Sequence, residues 1–263
     1  MTVQPADLPV KADDEASVFQ PANLLREARR QKNLSDDAVP RVCLLDPDGD
    51  IAAHLATSTN AHRHPGWACY HTDMWVTQVS GTTIGVVGRA VGAPFAVLVA
   101  EQLFVSGAEL VISITSAGQL QPLAQTPYFV LIEAALRDEG TSLHYRPPGT
   151  WSPMRLHLRQ SLGATLDNLE EPIITARSWT TDAPYRETPA AISSATEMGA
   201  ACVEMEAAAL YALAEACNRD IVCIAHITNT MATTGDDFEK GDANGVHAAL
   251  ALTAHLAHEL QRS

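Results

Sequence analysis

Aromatic side chains and basic charge are both scarce in this 263-residue sequence. Phe, Trp and Tyr together make up 5% of it, and 17 Lys and Arg stand against 31 Asp and Glu, a formal charge of −14. So acidic a chain repels polyphosphate and anionic headgroups, which argues against nucleic acid or a membrane surface as a partner. No apolar run approaches the roughly twenty residues of a membrane span. The N-terminus, MTVQPADLPVKADDEAS, lacks the basic start and apolar stretch of a signal peptide. C-x-x-C is absent too, which excludes a zinc ribbon or thioredoxin-type motif. The five cysteines (Cys43, Cys69, Cys202, Cys217, Cys223) are odd in number, and several sit in apolar runs. They read as reduced core thiols in a cytoplasmic protein. Without G-x-G-x-x-G spacing or a P-loop lysine, a dinucleotide site has no support, and no G-x-S-x-G elbow occurs.

What the chain does have is apolar content, 46% of residues, with only 18% charged. The charged share lies below the roughly 25% usual in soluble domains, implying a sizeable core and further surface buried between subunits of a homo-oligomer. We find neither internal repeats nor a long linker. Residues 1–40 read as an N-terminal arm with one short amphipathic helix, and residues 41–263 as a single domain. In that helix, PANLLREARRQKN, Leu24, Leu25 and Ala28 share one side, while Arg26, Arg29, Arg30 and Lys32 form a solvated face or a contact to an acidic neighbouring subunit.

From residue 41 strand-like and helix-like runs alternate. RVCLL (41–45) is a buried strand, and MWVTQVS (74–80) with TTIGVVG (82–88) forms a hairpin turning at Gly81-Thr82. APFAVLVAEQLFVSG is a helix stopped by Gly107, and AELVISITSAG (108–118) a central strand, so strand, helix and strand make a βαβ unit. YFVLIEAAL (128–136) fits strand or helix; PMRLHLRQSL (153–162) is helical and EPIITARSWTT (171–181) strand-like. A helix over 188–198, the short strand ACVEM, the helix EAAALYALAEACN, the strand DIVCIAHITNT (220–230) and a helix over 242–260 complete the chain. A mixed or parallel sheet with helices on both faces accounts for all of it.

Open α/β sheets bind ligands beyond the carboxyl ends of their strands. Three such ends are distinctive. Thr115-Ser116-Ala117-Gly118 lets backbone amides approach a ligand, and the Gly88-Arg89-Ala90-Val91-Gly92 segment is similar. In Glu204-Met205-Glu206, two carboxylates flank a methionine where a strand becomes a helix. Glu206 can serve there as a helix cap, or accept both hydroxyls of a vicinal diol and favour a ribosyl cation. At Thr228-Asn229-Thr230 an amide at a strand terminus reads a base edge or merely closes a turn.

Together these residues resemble the nucleoside phosphorylase and nucleosidase superfamily, from about residue 41 to the C-terminus and most closely its uridine phosphorylases. VEMEAAAL (203–210) is similar to that family's ribose-binding signature, SITSAGQLQP (113–122) to its phosphate and sugar loop, and HITNT to its base-site strand. The resemblance implies a three-layer αβα sandwich with a mixed, partly barrel-like central sheet, and a dimer, trimer or hexamer. It also implies that Met205 and Glu206 hold the ribose hydroxyls, Glu204 lines the same pocket, and the Ser116 to Gly118 loop faces the attacking side. Asn229, Arg186 and Trp179 would engage the base, with a core position the alternative for Trp179.

Departures from the family pattern concern phosphate. Where uridine phosphorylases carry G-D-P-x-x-R, this chain has Asp46-Pro47-Asp48-Gly49-Asp50, and Ser113 stands where the family has an arginine. An arginine supplied by a neighbouring subunit corresponds to the region of Tyr70 and His71. Two unit charges about 4 Å apart interact by about 4 kcal/mol at an effective dielectric near 20, so exchanging arginines for aspartates disfavours phosphate. Arg89, Arg63 or a histidine of His62-Arg63-His64 can compensate in part. The expected function is N-glycosidic cleavage of a nucleoside, with no cofactor and phosphate as a possible co-substrate. Hydrolysis, with Asp46 or Asp48 as base, is the competing chemistry, and a non-catalytic nucleoside binder the third reading. No metal site is expected, because His62, His64 and His71 have no carboxylate spacing to confirm one, and His255 and His258 read as solvated.

Overall fold

The computed structural model describes residues 15–163, 173–231 and 238–262. Most of the expectation for residues 1–18 therefore lies outside the described residues. The strands are β1 (Val42–Asp46), β2 (Ala61–Arg63), β3 (Met74–Val79), β4 (Thr82–Gly88), β5 (Leu110–Gln119), β6 (Tyr128–Asp138), β7 (Trp151–Pro153), β8 (Ile173–Thr181), β9 (Cys202–Glu204) and β10 (Asp220–Asn229). The helices are α1 (Pro21–Lys32), α2 (Asp50–Thr57), α3 (Ala93–Val105), α4 (Leu156–Gly163), α5 (Pro189–Glu197), α6 (Ala207–Ala216) and α7 (Val246–Arg262).

The central sheet runs β10-β6-β8-β9-β5-β1-β4-β3-β2, and β10 also pairs with β5. That second pairing closes β5, β10, β6, β8 and β9 into a ring, the barrel-like part of a mixed sheet. Helices α1, α3 and α6 cover one face and α2, α4 and α7 the other, giving three layers. β1 is buried along its whole length, and β5 along most of its own. Strands covered on both faces by helices need this unbroken apolar character. The βαβ reading of β4, α3 and β5 holds, with β1 lying between the two parallel strands.

Several elements differ from the sequence expectation in detail. The β3–β4 hairpin turns at Ser80-Gly81, one residue earlier than expected, with φ of 50° and 83°. Two consecutive left-handed residues match the right-handed twist of a two-residue hairpin, which glycine enters without strain. YFVLIEAAL resolves as strand β6, because its β-branched residues pair with β8 and β10. Helix α2 and strands β2 and β7 have too few periodic residues to signal themselves. His62 lies on β2, paired with Val76. Ala243 and Asn244, both left-handed, break the final helical run before α7. Cys217 is exposed, unlike the other cysteines, and His255 is half-buried. Among the described residues no helix is long and apolar enough to cross a membrane.

The basic side of α1 is largely used within the chain. Lys32 donates to the carbonyls of Ala68 (3.3 Å) and Cys69 (2.7 Å), and Arg30 pairs with Glu27 at 2.9 Å. Arg26 also reaches Glu27, in the solvated part of that face.

Tyr211 locks the ring from α6. Its hydroxyl donates to the Ile132 carbonyl at 2.6 Å and accepts the Cys223 N–H at 3.0 Å, spanning β6 and β10 just beyond the Ile224–Leu131 pair. Tyr211→Phe leaves that buried N–H without its acceptor, so urea unfolding should show a loss of about 1–3 kcal/mol in stability.

Candidate functional site

The strand-to-helix turn after β9 places both carboxylates of the Glu204-Met205-Glu206 motif in the interior. Glu204 is the helix-capping group. Its Oε2 accepts the N–H groups of Glu206 and Ala207, each at 2.7 Å, at the start of α6. Its Oε1 accepts the hydroxyls of Ser178 (2.9 Å) and Thr180 (2.5 Å). A carboxylate with four donors at a helix N-terminus is satisfied in place. Glu204 thus takes the capping role considered for Glu206, and its recorded bonds go to the scaffold instead of an open pocket.

Glu206 occupies the N-cap position without making a side-chain cap. Its Oε1 accepts the Gly92 N–H at 2.7 Å, while Oε2 is buried with no hydrogen-bond partner among the described residues. Gly92 has φ 85° and ψ 149°, a conformation restricted to glycine that turns its N–H toward this carboxylate. Burial pushes the Glu206 carboxyl up to about 8, and the nearby Glu204 charge adds to this; the Gly92 N–H, the Thr115 hydroxyl and the Met205 N–H oppose it. Burial raises Glu204 as well, against its four donors. Both are buried, and Glu204 has the fuller set of donors to its charged form. Met205, between them, is half-buried.

The Gly88–Gly92 segment connects Glu206 to the turn after β1. Arg89, left-handed at φ 68°, donates its N–H to the Asp46 carbonyl at 2.8 Å. Its side chain lies over Gly49: a Cβ built on Gly49 would be 2.7 Å from Arg89 Cγ. Gly88 packs closely enough on α2 that a Cβ there would come 2.6 Å from that of Ala52. The Asp46 carboxylate accepts the N–H groups of Gly49 (3.1 Å) and Ala52 (2.8 Å). Burial raises it to about 6 despite these bonds, with Asp48 and Asp50 adding to the rise.

Asp48 reaches β5. Its Oδ2 accepts the Ser116 N–H at 3.1 Å and also the Ser116 hydroxyl. Lys240 approaches the same oxygen at 3.4 Å and Asp50 at 2.6 Å. Burial alone would lower Lys240, but Asp50 and Asp48 together hold it above its ordinary value. His226, in register with Ser116 and stacked on Phe129 at 4.6 Å, is lowered to about 4, chiefly by burial, and is neutral near pH 7. Sequence reasoning missed both Lys240 and a role for His226. Lys240 belongs to no periodic element, and the histidine sits unmarked inside an apolar strand.

Farther along β5, Ala117 is buried and Gly118 faces Val203, Asn229 and Met231; a Cβ on Gly118 would lie 2.7 Å from Met231 Sδ. The Asn229 amide is occupied locally: Oδ1 accepts the Met231 N–H at 2.9 Å and Nδ2 donates to the Thr228 hydroxyl at 3.2 Å. These bonds close a turn at the end of β10. Trp179 is buried with Leu136, Ala195, Ala200 and Val203, and its Nε1 donates to Asp138 at 3.0 Å. Apolar side chains enclose the ring, the core position given as its alternative. Arg186 is exposed on the turn Pro184–Arg186. Arg63 pairs with Asp73, and His64 contacts the Ala38 carbonyl (3.0 Å) and the Gly66 N–H (3.1 Å), so neither joins the Asp48 cluster. Among the described residues no three His, Cys, Asp or Glu side chains are grouped as metal ligands. Ser113, in the middle of β5, is buried with its hydroxyl unpartnered among the described residues.

Comparisons with known proteins identify the family and the fold. Residues 41–259 match the family model of the Phosphorylase superfamily. Guanosine phosphorylase of Halorubrum lacusprofundi is 30% identical over 141 residues, 51% of this chain and 56% of that protein. An uncharacterized protein of Acanthamoeba polyphaga mimivirus is 29% identical over 144 residues, 54% of each. The chain thus spans about half the length of these curated relatives. Among solved structures, uridine phosphorylase from Vibrio fischeri aligns with a TM-score of 0.68 at 19% identity, covering 89% of this chain and 94% of that one. Purine nucleoside phosphorylase from Toxoplasma gondii aligns with a TM-score of 0.71 at 16% identity, covering 86% and 94%. At these identities the structural likeness speaks for the fold.

The raised Glu206 carboxyl has a consequence for stability. An unfolded glutamate releases its proton near 4.5, whereas folded Glu206 holds it to about 8. The folded state therefore binds more protons across that window, and stability falls as pH rises through it. Glu206→Gln removes this contribution, so denaturant midpoints for the variant should decline less from about pH 4.5 to about pH 8 than those of the wild type. Parallel declines would show that the site does not hold the proton.

Proposed function

Because the chain belongs to the Phosphorylase superfamily, we propose that it cleaves the N-glycosidic bond of a nucleoside through a ribosyl cation-like transition state. The observation that carries this is Glu206, buried, with Oε1 held by the Gly92 N–H and Oε2 unpartnered among the described residues. A buried carboxylate oxygen without a donor is costly unless a ligand supplies one. The 2′- and 3′-hydroxyls of a ribose supply two. The charge then lies beside the sugar carbon on which positive charge develops, where a fixed dipole or ion acts at low dielectric.

Backbone and side chains divide the remaining work. The Gly92 N–H fixes the Glu206 carboxyl, the nearby Thr115 hydroxyl favours its charged form, and Glu204 fixes the start of α6 beneath it. Met205 offers apolar contact to the sugar. Arg186 is an exposed cation available for the base, whose identity the site leaves open. The names of the relatives, guanosine, uridine and purine nucleoside phosphorylases, support the substrate class. No cofactor enters this chemistry. A homo-oligomer is part of the same proposal, supported by the apolar groove of about 570 Å³ between α1 and α3, which Phe19, Leu24, Val97 and Leu98 line.

Incubation with a nucleoside panel, with and without phosphate, and chromatography of the free base tests the proposal. Glu206→Ala should reduce base release by about 10²–10³-fold, the scale of losing one charge-stabilising group. Unchanged release would remove Glu206 from the site. Two hydroxyl donors favour the ionised carboxylate, so the affinity of a non-cleavable nucleoside analogue should rise with pH toward about 8. Equilibrium titration across that range measures it, and a pH-independent affinity would contradict the diol assignment.

A further inference from the structure

The strand end that serves Glu206 also serves a second carboxylate. Thr115 contacts Glu206, and the next residue, Ser116, gives both its N–H and its hydroxyl to Asp48. An adjacent N–H and O–H where β5 has run past its neighbour β1 form an anion seat, and here the chain fills it with its own side chain. Lys240, separated from Asp48 by 192 positions, supplies the counter-charge. Every recorded contact of the carboxylate, from Ser116 N, Ser116 Oγ and Lys240 Nζ, falls on Oδ2. Around it stand Asp46, Asp50, the side chain of Arg89 over Gly49, and a neutral His226. Lys240 is already shared between Asp48 and Asp50, so an incoming phosphate would meet carboxylates whose ion-pair partner is committed.

We infer that Asp48 fills the anion seat at Ser116, so that the chain excludes phosphate there and uses water as its nucleophile, with Asp48 as proton acceptor. This rests on the N-glycosidic reading above. The water oxygen bonds to C1′ as the C1′–N bond breaks, and that electron pair leaves with the base. One water proton passes to the Asp48 carboxylate and on to solvent, and the departing base takes a proton from solvent. Nucleoside and water thus become free sugar and free base.

Calorimetric titration of inorganic phosphate into the full chain tests the seat directly. Wild type should give no binding heat, whereas Asp48→Ala, which vacates Ser116 and frees Lys240, should bind phosphate at least about tenfold more tightly. The double variant Asp48→Ala, Lys240→Met should lose that gain. Asp48→Asn keeps the side chain's shape but cannot take up the proton, so it should lower phosphate-free base release by about a hundredfold or more while leaving nucleoside affinity in place. Equal phosphate binding by wild type and Asp48→Ala, base release that requires phosphate, or wild-type rates in Asp48→Asn would each overturn the inference. Base release absent from every nucleoside in both buffers would instead defeat the N-glycosidic reading. The phosphate titration would then still decide whether Asp48 fills the seat.

Discussion

Two carboxylates buried two residues apart, with no salt bridge to either among the described residues, set the terms for the rest of this site. Such a pair persists only if donors satisfy the charge, and Glu204 collects four of them from β8 and the start of α6. That arrangement ties the helix to the barrel and leaves its neighbour, Glu206, with the Gly92 N–H on Oε1 and an Oε2 that has no hydrogen-bond partner among the described residues. The division of labour is physical: the residue with enough donors becomes scaffold, and the one with too few is left for a ligand.

The closed ring makes this possible. β5 pairs with β1 over Leu110–Ser113, with β10 along most of its length and with β9 at Gly118 and Gln119, so its second half extends past β1 toward the rest of the ring. Thr115, Ser116 and Gly118 accordingly meet Glu206, Asp48 and Asn229, each arriving from a different part of the chain. An open sheet edge would leave such residues to solvent. Tyr211, bridging β6 and β10 from α6, couples the helix that carries the Glu206 turn to the ring that holds its partners.

Electrostatics around the mouth follow from the acidic composition. With more carboxylates than cations in the chain, those at the site are managed by burial, backbone N–H groups and one lysine. Asp46 is satisfied by the first turn of α2, Asp48 by Ser116, and Asp50 by Lys240. The cation that balances this turn comes from the segment preceding α7, whereas the family pattern places an arginine within the turn itself.

Local pattern alone determined the strands β1, β3, β4, β5, β8 and β10, because β-branched runs bounded by glycine or polar residues carry their own signal. The Glu204-Met205-Glu206 turn was legible for the same reason: a strand, two carboxylates and an alanine-rich helix are contiguous. Tertiary structure decided which carboxylate caps the helix and which stays open, since the deciding donors, Ser178, Thr180 and Gly92, are remote in sequence. It also decided that Trp179 packs and Asn229 closes a turn, roles set by neighbours that spacing cannot reveal. Lys240 meets Asp48 and Asp50 only after the chain has folded. Periodicity reports the face an element buries, whereas a charge finds its partner through the packing of distant segments.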